Sequence, residues 1–246
     1  SGILALHDSA SGYVIAHELG HTFGLGHSNF LRCDNAANDG AWSDTCKAVE
    51  YGGVIDVMGN VDTTSPLNTY HQWRMGLLDD SQIKQVWQSE VVNLAPSDFA
   101  NGIRAIYIRD GKAAYWVEYR RKLDGAGYKP GLAIYRLDPP PISAVVSVNP
   151  EDAEAAEFGS VLGTDVWMLN LDTYQYKDSR SVGGSMTALT AKTYSGNVSF
   201  SAVPSETGAV VTITKKADTT PPPVPNVLPV AQWNSPNMVI LGSGGE

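Results

Sequence analysis

The sequence predicts an α+β fold in which a helix-and-loop segment at the start is followed by an antiparallel, β-rich, sandwich-like region. Three observations carry that expectation. Apolar residues recur at helical spacing near residues 11–23, runs rich in β-branched and aromatic residues take over from about residue 86, and turn signals separate those runs. With 246 residues, 43% of them hydrophobic and 17% charged, the chain can bury a sizeable core.

The first helix is expected over SGYVIAHELGHTF, where Val14, Ile15, Leu19 and Phe23 supply the apolar positions and Ser9 or Ser11 offers an N-cap. Gly24 is placed to end it, since glycine accepts the left-handed backbone that closes a helix. Residues 28–65 are dominated by Gly, Asn, Asp and Ser and read as loop, and LNTYHQWRMG at 67–76 reads as a second helix. Strand character follows in EVVNLA, IRAIYIRD, AAYWVEYRR, GLAIYRLD, VWMLNL, NVSFSAV and AVVTITK, with turns at DG 110–111, DGAG 124–127 and SG 195–196. The DGK at 110–112 reads as a hairpin turn and nothing more. Beyond residue 216 a proline-rich linker at 217–229 precedes residues 230–246, which read as the start of a truncated module or a tail. The expected units are therefore 1–80, 81–216, 217–229 and 230–246.

A formal net charge of -9 argues against nucleic acid or an anionic membrane face as a partner. No stretch approaches the roughly 18 apolar residues of a membrane span. The first twenty residues lack a secretory leader, and SGILALHDS reads as the middle of a longer chain. The two cysteines, Cys33 and Cys46, lie close together in a turn-rich stretch and are expected to form a disulfide, which favours an oxidising compartment.

Chemistry concentrates in HELGHTFGLGH at 17–27, which holds three of the chain's five histidines. On a helix, residues four apart share a face, so His17 and His21 can present both rings to one ion. Glu18 is offset from that axis, free to act as a base toward water without ligating. Gly24 lets the chain turn and bring His27 round as a third nitrogen ligand, leaving one coordination position open, as in catalytic zinc sites. At average residue usage, five such fixed positions coincide in a chain of this length on the order of 10⁻⁵ of the time.

These residues match, at every fixed position, the long zinc signature HExxHxxGxxH of the metzincin peptidases. Within that clan the chain most resembles the gametolysin family, through EYGGVIDVMG at 50–59, WRMGLL at 73–78 and the later AYWVEYRR, GLAIYRLDPPP and GAVVTIT segments. The likeness runs from about residue 3 to 216. It implies a secreted zinc endopeptidase acting on extracellular proteins or peptides, with one catalytic Zn2+ held by His17, His21 and His27 and with Glu18 as the catalytic base. It also implies a methionine-containing turn with Met58 packed beneath the imidazoles. Asn60 stands where some of these enzymes carry a tyrosine, so no tyrosine ligand is assigned. The resemblance further implies a sheet ahead of the zinc helix whose edge pairs with an extended substrate, of which ILAL at 3–6 fits one remaining strand. The alternative is a catalytically weak or silent fragment whose β-sandwich binds a protein or a glycan. A zinc hydrolase acting on other bonds is a third class.

Other polar residues rank lower. His71 is expected to be structural, and His7 to lie near a substrate-side loop at best. Asp34, Asn35, Asn38, Asp39 and Asp44 offer oxygen ligands for a structural Ca2+, but without the spacing of a calcium loop they read as a solvated segment.

Overall fold

The computed structural model describes residues 12–34, 38–43, 45–53, 55–59, 65–121, 129–140, 145–146, 164–169, 171 and 187–216. Outside them lie the ILAL stretch, His7, Ser9, Ser11, Asn35, Asp44, Asn60, the DGAG turn, the linker at 217–229 and residues 230–246. The described chain is mixed α+β and mostly sheet.

Helix α1, Gly12–Thr22, forms where the apolar spacing places it, and Gly24 follows with φ 82. Ile15, Leu19 and Phe23 stand 39%, 44% and 57% exposed, and the helix instead buries His17 and Gly20, which lie one turn apart. Helix α2, Thr69–Arg74, lies within the expected segment, and its N-cap Asn68 accepts a hydrogen bond from the His71 backbone N–H.

The stretch read as loop between the helices contains two strands, β1 Ser28–Cys33 and β2 Cys46–Val49. Both are short and set among turn residues, so no local periodicity announces them; long-range pairing forms them. The remaining strands are β3 Ile83–Val86, β4 Glu90–Leu94, β5 Ala105–Asp110, β6 Ala113–Arg120, β7 Gly131–Arg136, β8 Val145–Val146, β9 Val166–Leu169, β10 Thr190–Lys192, β11 Val198–Ser205 and β12 Gly208–Lys215. The DGK turn joins β5 to β6 as expected, with Gly111 at φ 61.

Eight strands form one sheet in the order β3-β5-β6-β7-β9-β1-β2-β8, and four form a second in the order β10-β11-β12-β4. The smaller sheet is antiparallel throughout. The larger one is mixed, since β3 with β5, β1 with β9 and β2 with β8 are parallel. It also takes strands from both sides of residue 80, so the zinc-signature segment and the β-rich region share one sheet.

Side chains alternate cleanly across that sheet. Leu31, Ile106, Ile108, Tyr115, Val117, Leu132, Ile134, Trp167 and Leu169 pack with Val92, Leu94, Phe200, Val211 and Ile213 of the smaller sheet, closing a sandwich core. Phe30, Tyr107, Trp116, Ala133, Tyr135, Val166 and Met168 point the other way, against Ile55, Leu78 and the α2 residues Tyr70 and Trp73. Burial on both faces explains why GLAIYR and VWML read as unbroken apolar runs.

Cys33 and Cys46 are paired across the β1–β2 hairpin and joined by a disulfide, as expected. With 13 residues of separation, the bridge stabilises the fold by about 3 kcal/mol in the chain-entropy account. Exchanging both cysteines for serine should lower the melting temperature by about 6–12 °C in calorimetry. Among the described residues no helix is long and apolar enough to cross a membrane.

Candidate metal centre

His17 and His21 project from α1, while His27 stands just before β1. Their Nε2 atoms converge: His17 to His21 and His21 to His27 are each 3.1 Å, and all three lie within 4.8 Å of one another. Three nitrogens arranged tetrahedrally about one zinc at ~2.1 Å would stand about 3.4 Å apart. Two of the separations are close to that spacing.

The outward nitrogens decide the chemistry. His17 Nδ1 lies 2.8 Å from the Val57 carbonyl oxygen, His21 Nδ1 2.8 Å from the Leu25 carbonyl, and His27 Nδ1 3.2 Å from a Glu50 carboxylate oxygen. Carbonyl oxygens only accept, so the Nδ1 of His17 and that of His21 each carry the hydrogen and donate outward, while the Glu50 carboxylate stands at ion-pair distance from His27 Nδ1. When neutral, the His17 and His21 rings therefore turn their Nε2 lone pairs inward. Lone pairs held so close repel one another until a cation sits between them, and outer partners of this kind set ligand tautomers in metal sites. Burial, followed by the nearby His27, pulls the His17 pKa down to about 4, and burial also lowers that of His21. For these two rings the neutral imidazole, which coordination requires, is thus favoured at neutral pH. The donor set fits zinc.

Sheet register fixes His27. Because β1 runs parallel to β9, with Ser28 opposite Val166, the residues just before each strand are neighbours. Asp165 Oδ1 accepts the His27 backbone N–H at 2.6 Å, and Thr164 Oγ1 accepts that of Gly26 at 2.7 Å and donates to the Gly24 carbonyl. A β-carbon on Gly26 would overlap the Asp165 carboxylate and lie 2.8 Å from its backbone nitrogen. Gly26→Ala should therefore displace His27 and weaken zinc binding by about tenfold or more, as read by competition with a chromophoric chelator.

Residues 55–59 hold the other side. Met58 is fully buried, with its sulfur so close to Gly20 that a β-carbon there would overlap it. The turn is held by Asp56, whose carboxylate accepts from the Met58 and Asn68 backbone N–H groups at 2.7 and 2.5 Å. Beneath it, Arg120 donates to the Ile55 carbonyl and to Glu118, each at 2.6 Å, and Glu118 also accepts from Thr69 and Tyr135. Asp56, Glu118 and Arg120 are all fully buried. An ionic network on the sheet thus sets the turn that holds His17.

No protein-family model, curated protein or solved structure matches the chain. What the trio does must follow from its own residues.

Glu18 is half-buried, adjacent to His17, and its charge acts on His21 and Tyr51. His71 is fully buried and structural, as expected: Nε2 donates to the Thr164 carbonyl at 2.8 Å and Nδ1 accepts from the Asn68 amide at 2.9 Å. Asp39 departs from the expected solvated segment. It is buried, and its carboxylate is engaged by Arg136 at 3.0 Å, the Tyr115 hydroxyl at 2.7 Å and the Tyr194 backbone N–H at 3.0 Å. Among the described residues, the histidine trio is the one group of three or more metal-ligating side chains so gathered.

Sequence reasoning missed Asp165, Thr164, Glu50 and Tyr51. Tyr51 has φ 57, a left-handed conformation rare for a bulky aromatic, and its ring centroid lies 3.9 Å from that of His27. Burial, and then the carboxylates of Glu50, Glu18 and Asp165, raise its phenol pKa, keeping the hydroxyl protonated. The one signal for it is the following Gly52–Gly53 pair, which marks a turn.

Proposed function

We propose that the chain carries the zinc site of a secreted endopeptidase of metzincin, gametolysin-like type, with His17, His21 and His27 as ligands and Glu18 as catalytic base. One observation carries this reading: three Nε2 atoms gathered within 4.8 Å of one another, with each Nδ1 turned outward to a protein oxygen, beside a carboxylate that takes no part in the trio. A bound zinc supplies Lewis acidity, polarising a carbonyl and making water a better acid.

The protein's own groups do the rest. The Glu18 carboxylate accepts a proton from the attacking water and passes it to the departing amine. Met58 packs beneath the helix at Gly20, supporting the buried helix face that carries His17. The Val57 and Leu25 carbonyls keep the His17 and His21 rings in the coordinating tautomer, and Glu50 faces the outer nitrogen of His27. The disulfide supports a secreted location.

Zinc content by elemental analysis and hydrolysis of casein or gelatin test this together. About one zinc per chain is expected, with cleavage abolished by a chelator and restored by zinc. A protein that stays metal-free after reconstitution overturns the proposal. Zinc bound without cleavage leaves a metal-binding module.

A further inference from the structure

We infer that Tyr51 is a positioning residue for the third metal ligand, its ring and the Glu50 carboxylate together clamping the His27 imidazole, an inference that rests on the zinc reading above. His17 and His21 are held by a helix, and the His27 backbone by Asp165 and the β1–β9 pairing. None of these contacts fixes the plane of the His27 ring. Two contacts do: Glu50 meets Nδ1 at 3.2 Å, and the Tyr51 ring packs on the imidazole at 3.9 Å and 44°.

The sheet delivers both residues. In the β1–β2 register Phe30 faces Val49, so Glu50 and Tyr51 leave β2 beside Asn29 and Ser28, next to His27. An extended backbone would carry Tyr51 on as strand. Its left-handed conformation instead ends β2 and brings the ring over His27, with the Tyr51 N–H held by the Asn29 side chain at 3.0 Å. The same ring lies 5.8 Å from that of His17, so it spans two of the three ligands. A strained conformation kept by surrounding contacts, with its ring on a ligand, points to function.

Zinc competition titrations and the visible spectrum of the cobalt-loaded full chain separate ring from backbone. Tyr51→Phe, which keeps the ring, should bind zinc within about twofold of the parent. Tyr51→Ala and Tyr51→Gly should both bind about 10–100-fold more weakly, with altered cobalt bands. Glycine relieves the left-handed strain, so Tyr51→Gly should melt about 2–4 °C above Tyr51→Ala without regaining affinity. Parental affinity in Tyr51→Ala, or rescue by Tyr51→Gly, overturns this inference and leaves the zinc centre standing. A parent that binds no metal removes the zinc centre and the clamp with it.

Discussion

Glu18→Ala is expected to retain its zinc and to lose peptide hydrolysis by about 10²–10⁴-fold. The separation follows from where the residue sits. The three ligand nitrogens are set by Val57, Leu25 and Glu50, and none of those contacts involves Glu18. The side chain is half-buried, so truncating it opens no core cavity. What disappears is the group that moves the proton. Elemental analysis beside casein hydrolysis measures both quantities on one sample. Parental turnover in the variant would show that another group is the base, and loss of zinc would show that Glu18 belongs to the binding site.

Arg120→Met should destabilise the protein by about 3–5 kcal/mol in urea denaturation. The substitution leaves Asp56 and Glu118 fully buried and without their cation. The remaining donors, from Met58, Asn68, Thr69 and Tyr135, are neutral and do not replace a guanidinium. Arg121 is the internal comparison. Its pair with Asp98 is 44% exposed on the arginine side, so Arg121→Met should cost no more than about 1 kcal/mol. Equal effects at the two positions would mean that burial does not set the strength of the Arg120 network. Zinc affinity should fall with Arg120→Met as well, because the turn it anchors carries the Val57 carbonyl that orients His17.

The parts legible in the sequence are those governed by near neighbours. Helix α1 and its glycine stop, the β5–β6 hairpin, the Cys33–Cys46 bridge and the apolar strand runs all rest on residues close in the chain. Strands β1 and β2 were hidden because SNFLRC and CKAV take their conformation from partners, one of them β9, far along the chain. Ile15, Leu19 and Phe23, whose spacing located the helix, stay exposed, because periodicity places a helix without showing what packs on it. The three converging histidines were legible as a motif. Their supports were not, because Asp165 and Glu50 reach His27 through sheet register rather than sequence proximity. Glu118 and Arg120 did leave a trace, as charged residues two apart in the otherwise aromatic strand AAYWVEYR.

The parallel pairing of β1 with β9 links chain positions 138 residues apart. Contacts of such long range form slowly during folding, because a large loop must close before any bond rewards it. A nascent polypeptide that has not yet emerged past residue 169 lacks the Asp165 carboxylate and the β9 pairing that hold the His27 backbone. On the proposed zinc reading, full affinity for the cation therefore arrives only with completed assembly.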